Sequence, residues 1–303
     1  MTFRFRSALA LFLAGGAAFP ASAGETLADG FTGTGFVELF YAAYDDDALD
    51  DEGGVFGDFD LSFRPRGGSL GFDAGAFAAR SDEGGNGIFY WAGTWYTPNG
   101  GKVSLGNPRS AYDLFERSVH NDAQAVLGNF VLRSQMQQDE FAGGGGQYGI
   151  SYLGQAGALS YGISLHSYEF GPDDITALAI GGTYRWEDYR ISAAYENSDA
   201  DGGADLSRLK IGVAADYGTF GFGTTYRVLD DGTDTRRSWE TFGFYHPTER
   251  IELTGTFQSF SGDSNSVLGL AARYRITDRG YARAGAVFNE TDNAYSVSIG
   301  YEF

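Results

Sequence analysis

The residues of this chain able to do chemistry are charged side chains in two settings. One set of carboxylates, Asp113, Glu116, Asp122, Asp139 and Glu140, lies in a single long segment, 108–146. A set of cations, Arg64, Arg185, Arg190, Lys210, Arg227, Arg273, Arg275 and Arg283, sits at alternate positions of segments that read as β-strands. Opposite charges across a water-filled slit make a transverse field, which favours polar solutes that can orient. Nucleophilic chemistry is poorly supplied. There is no Cys, and the three His (His120, His166 and His246) show no metal-ligand spacing. Only His166, close to Ser164 and Ser167, could serve a hydrolase, and a His facing a polar interior explains it as well. The run 199–205 has a calcium-loop look but lacks a ligand at its fifth position and has Lys210 where a bidentate Glu belongs. Ca²⁺ or Mg²⁺ at the acidic loops stays open, and no cofactor is implied. The Gly143 to Gly146 run is not followed by Lys and Ser or Thr, so it is not a phosphate loop.

The elements that must position these charges are strands. Sixteen segments carry strand character: 33–44, 58–64, 69–80, 87–97, 101–107, 147–154, 158–169, 176–186, 188–197, 206–217, 219–229, 237–246, 249–260, 266–276, 279–289 and 294–303. Many alternate strictly. In 208–217, Leu209, Ile211, Val213, Ala215 and Tyr217 oppose Arg208, Lys210, Gly212, Ala214 and Asp216. The last strand sets Tyr295, Val297, Ile299, Tyr301 and Phe303 against Ser296, Ser298, Gly300 and Glu302. The polar face is rich in Gly, Ser and Thr, as a wet interior would be. Tight turns, among them 97–101, 154–157, 186–188, 246–248 and 277–278, alternate with longer Asp-rich connections, among them 197–205, 229–236, 261–265 and 289–293. A soluble sandwich has no reason to sort its loops by end, whereas a transmembrane barrel does. Aromatics near strand ends (Phe89, Trp91, Trp95, Tyr96; Tyr184, Trp186, Tyr189; Tyr217, Phe220; Tyr274, Tyr281) suit interfacial girdles.

The long segment is the exception. Ala111, Leu114, Phe115, Val119, Ala123, Val126, Leu127 and Phe130 recur at spacings of three and four, which predicts a helical face. A connection of this length needs its own place to pack, and the inside of the barrel offers one.

Composition narrows the classes. The formal charge is −19, or −21 once the two leader arginines Arg4 and Arg6 are set aside, so nucleic acid is not an expected partner. Residues 1–23 read as a cleaved secretory signal: Arg4 and Arg6, an apolar run, then Ala21-Ser22-Ala23 before Gly24. That run is too short to span a bilayer as a helix. The expected domains are thus the signal, 1–23, and one β domain, 24–303. The fold expected is all-β: a transmembrane antiparallel barrel of about sixteen strands, with 108–146 as a partly helical constriction loop in its lumen.

At Gly101-Lys102-Val103-Ser104-Leu105-Gly106-Asn107, then the long segment, then Gly146-Gln147-Tyr148-Gly149-Ile150-Ser151-Tyr152-Leu153-Gly154, the chain resembles Gram-negative general porins, closest to the trimeric porins of photosynthetic α-proteobacteria. Phe303 at the end of an alternating strand resembles the C-terminal signal read by outer-membrane assembly machinery. The resemblance implies a homotrimer in the outer membrane, contacting lipid and lipopolysaccharide, and passive diffusion of small hydrophilic solutes and ions. It implies no enzyme. Acidic outer loops add an expected mild cation preference. The alternatives are a channel selective for a sugar or an anion, and a barrel enzyme or adhesin.

Overall fold

The structure is a computed structural model that describes residues 26–28, 30–45, 51–81, 84–115, 145–170, 173–201, 205–261, 266–289 and 293–303. The expected signal peptide and most of the long segment, with Glu116, Asp122, Asp139 and Glu140, lie outside them. A short β1 (Thr26–Ala28) pairs with the start of β2. Sixteen strands follow: β2 (Phe31–Tyr44), β3 (Glu52–Phe63), β4 (Leu70–Ser81), β5 (Gly84–Tyr96), β6 (Lys102–Asn107), β7 (Gly145–Ala156), β8 (Leu159–Phe170), β9 (Asp173–Trp186), β10 (Tyr189–Ala200), β11 (Leu206–Asp216), β12 (Phe220–Asp230), β13 (Thr235–Thr248), β14 (Ile251–Phe260), β15 (Ser266–Arg275), β16 (Gly280–Phe288) and β17 (Asn293–Glu302). Each pairs antiparallel with the next, and β17 pairs with β2 (Gly300 beside Glu38), so the sheet closes. Closure leaves no edge, which is what backbone in hydrocarbon requires. Just beyond the last strand, Gly35 and Phe303 exchange both backbone hydrogen bonds at 2.8 and 2.9 Å.

The alternation of the sequence becomes inside and outside. Leu39, Phe89, Trp91, Ile180, Ile191, Val213, Trp239, Leu270 and Ile299 are exposed on the outer face. Their neighbours Glu38, Ser192, Glu240, Thr256, Gln258 and Ser298 are buried on the inner one. This inverts a soluble core and matches lipid outside with polar lumen inside. No described helix is long and apolar enough to cross a membrane.

One end gathers Phe303, the start of β2 and the connections 64–69, 97–101, 157–158, 187–188, 217–219, 249–250 and 276–279. There an outward band stacks Trp186 on Tyr189 (5.8 Å between rings) and Tyr217 on Phe220 (5.0 Å). The other end holds the acidic connection between Asp230 and Thr235 and the strand ends that flank the remaining longer connections. Pairing there persists to Ser81 with Gly84 and to Phe170 with Asp173.

Three expectations are corrected by the register. β3 begins at Glu52, not 58, because Gly53 and Gly54 pair with Tyr41 and Phe40; partner strands override the glycines' weak propensity. The turn expected at 246–248 lies at 249–250: β13 runs on through a bulge containing Pro247, where a missing N–H does no harm. Tyr96 and Tyr281 face the lumen rather than a girdle, as their parity with Ala92 and Arg283 requires. The helical periodicity of the long segment yields, within the described residues, one turn, α1 (Ala111–Leu114); Phe115 is already extended at φ −115° and ψ 145°.

Candidate functional site

The chain leaves the wall at Asn107, whose side-chain amide donates to the Phe89 carbonyl at 2.7 Å and to Gln147 Oε1 at 3.0 Å. Three strands are thereby tied where the inserted segment begins. The residue before it, Gly106, has φ 140°, and a Cβ there would meet the Trp91 carbonyl oxygen at 2.6 Å. Residues 108–115 then turn inward and lie along the inner wall. His166 Nε2–H donates to the Pro108 carbonyl at 2.8 Å, the backbone N–H of Ala111 to Ser164 Oγ at 2.8 Å, and Ser110 Oγ–H to Glu196 Oε2 at 3.3 Å. Ser110 also caps α1, accepting from the Tyr112 N–H at 3.2 Å.

The wall under α1 is made of small residues. Ala111, Tyr112 and Phe115 pack on Ala179 and Ala194, with Leu114 and Leu153 alongside. A Cβ on Gly181 would come within 2.7 Å of Phe115 Cδ2 and 3.1 Å of the Ala111 carbonyl oxygen; one on Gly162 would come within 3.0 Å of Phe115. Phe115 leaves the helix because this glycine pocket receives its ring. His166 and Ser164 are spent holding backbone, and Ser167 lies on the other face of β8, so the three form no catalytic array.

Several of the described lumen charges come in matched pairs. Arg227 meets Glu240 at 2.7 Å, Arg283 meets Glu38 at 3.3 Å, and Arg273 meets Glu302. Tyr281 donates to Glu38 Oε2 at 2.7 Å and lies beneath the Arg273 guanidinium, 3.9 Å from its ring centroid. Across the barrel, Lys102 meets Asp73 at 2.6 Å, while Arg109 reaches from the inserted segment to Asp58 at 2.7 Å and Asp60 at 3.0 Å, with its guanidinium over Tyr90.

The expected basic wall therefore divides. Lys210, Arg227 and Arg283 are buried on the lumen face, and the Lys210 ammonium sits 4.2 Å from the Tyr112 ring centroid, behind α1. Arg273 is half-buried beside the seam between β17 and β2. Arg185 and Arg190 are cross-strand neighbours at the turn end. Arg64 is pinned there too, donating to the Gly68 carbonyl at 3.1 Å and lying over Tyr96. Arg275, exposed, ends β15 opposite Tyr281. Of the loop acids, Asp113 is described, on α1. Among the described residues no group of His, Cys, Asp and Glu converges as a metal site.

Sequence reasoning passed over Glu38, Glu196, Glu240, Arg208 and Arg109. The first three were readable, since each neighbours an outward Leu39, Tyr195 or Trp239 and so shares the lumen face. Arg109 carries no such signal; its partners lie 49 and 51 positions away.

No protein-family model and no curated protein matches the sequence. Solved structures do match. A double mutant of the Rhodopseudomonas blastica porin aligns over 90% of this chain and all of its own at TM-score 0.66 and 14% identity. A triple mutant of that porin gives 0.62 and 13% with the same coverage. Engineered proteins described by their asymmetric conductivity give 0.61 and 13%, again over 90% and 100%. With sixteen antiparallel strands closed end to end and a segment laid inside them, this chain has the fold of a bacterial porin.

Proposed function

We propose that the protein is a channel of the Gram-negative outer membrane that passes small hydrophilic solutes and ions by diffusion. The observation that carries this reading is the inverted barrel: apolar side chains outside, a polar lumen inside, and a segment anchored across the interior by His166, Ser164 and Arg109. Sixteen strands leave an aqueous lumen that such a segment narrows. The protein has no enzymatic role in this reading. A cleaved leader, a homotrimeric assembly, lipopolysaccharide contacts bridged by divalent cations and recognition of Phe303 by the assembly machinery accompany it.

A mild cation preference belongs to the same proposal. Several described wall cations meet wall carboxylates (Arg227 with Glu240, Arg283 with Glu38, Lys102 with Asp73), and the acidic connections carry net negative charge that raises the local cation concentration. The test is single-channel recording in a planar bilayer under a salt gradient. Ohmic steps with a cation-favouring reversal potential are expected, weakened in a variant with Asp113 and Glu116 neutralised. A protein that inserts and never conducts would overturn the reading.

A further inference from the structure

Between the inserted segment and the wall lies a cavity of about 230 Å³, well above the about 30 Å³ that one water occupies. Small side chains on three successive strands hollow its floor: Ala92 on β5, Ser104 on β6 and Ser151 on β7. Ser104 and Ser151 are register partners, both buried. Pro108, Arg109 and Leu114 form the roof. The hollow extends from the inserted segment toward the turn end, where Lys102 begins its strand.

The lining has two characters. On one side stand the ion pairs Lys102–Asp73 and Arg109–Asp60, with Ser62 Oγ–H donating to Asp73 Oδ1 at 2.8 Å. On the other stand the aliphatic surfaces of Leu114, Leu153 and Pro108. Two cations balance two carboxylates, so this lining has no formal charge with which to select an ion. It offers acceptors on the carboxylates, donors on the cations and both on the hydroxyls. A ligand complementary to it is neutral, has hydroxyls around its edge and presents C–H faces.

We propose that this cavity is a subsite for a neutral polyhydroxylated solute of monosaccharide size, on the turn-end side of the inserted segment. The subsite rests on the channel reading for its access to solute. Residence there is brief, since a conducting site must release what it binds. It gives the channel a preference among uncharged solutes that its rim charge cannot supply.

The test uses the full-length protein in detergent and in planar bilayers, with D-glucose as the probe. Saturation-transfer NMR should show saturable glucose binding, and the ion current should fall saturably and reversibly as glucose is added. Ser104→Leu fills the floor; it should keep the conductance measured in salt alone and weaken the glucose response at least five-fold. If that variant fails to assemble, Lys102→Met, which removes donors at a half-exposed position, should weaken it at least three-fold. A conducting protein with no glucose response, or with an equal response in the variant, overturns the subsite and leaves the channel. Glucose binding without conductance overturns the channel and leaves the subsite. Tighter binding of a zwitterion such as glycine overturns the assignment to neutral polyols.

Discussion

Arg109 is the side chain on which the position of the inserted segment most depends. It leaves the segment to meet two carboxylates on a strand 49 and 51 residues away in sequence, and its own side chain is 11% exposed. Arg109→Met should cost about 1.5–3 kcal/mol, the range for hydrogen bonds to charged groups. Urea unfolding would show it as a lower midpoint, and single-channel records as more open-state current noise. Asp58→Asn should do less, because Asp60 remains to hold the guanidinium. Asp231, in the connection between β12 and β13, shows a second residue-scale effect. The N–H groups of Asp234 and Thr233 donate to its carboxylate, holding its pKa below the ordinary 3.8. A depressed pKa means that these bonds are fully present above 3.8 and are lost as pH falls through the lower, folded value. The amide resonances of Thr233 and Asp234 should hold their positions through pH 4 and move only in stronger acid. Movement at a higher pH would contradict the geometry.

At the scale of elements, the fit between α1 and β8 to β10 decides how far the lumen is narrowed. A one-turn helix has almost no stability of its own, so its position must come from the wall. The wall supplies glycine and alanine where the helix lies, and Ser164, His166 and Glu196 where its backbone and cap need partners. Gly181→Val puts a branched side chain where a single Cβ already meets the Ala111 carbonyl oxygen at 3.1 Å. The segment should be displaced into the lumen at a cost of about 1–3 kcal/mol, as overpacking typically gives. Its measure is a lower single-channel conductance with the barrel still assembled; an unchanged conductance would mean that the segment has room to yield.

At the scale of the whole molecule, closure is the dominant constraint. The seam between β17 and β2 joins residues nearly the whole chain apart, and its last rung is the reciprocal pair of bonds between Gly35 and Phe303. Removing Phe303 deletes that rung and the proposed assembly signal together. The yield of folded, heat-modifiable barrel should fall several-fold, whereas Phe303→Tyr, which keeps the backbone bonds and an aromatic terminus, should restore it. Failure of the Tyr variant to rescue would separate the signal from the rung.

The sequence by itself determined the strands and their two faces. Lipid and water on opposite sides of one sheet force a period of two, and in β11 or β17 that period is legible residue by residue. It also indicated about sixteen strands and the clustering of acid in the longer connections. Glu38, Glu196 and Glu240 were readable by the same parity and needed only to be looked for. What the tertiary structure alone decided is which charges meet. Ser110 finds Glu196 across 86 residues and Ala111 finds Ser164 across 53, distances over which no local pattern carries information. The pairing of wall cations such as Arg227 and Arg283 with the wall carboxylates Glu240 and Glu38 was decided in the same way. Strand register sets it, and register is a property of the closed sheet.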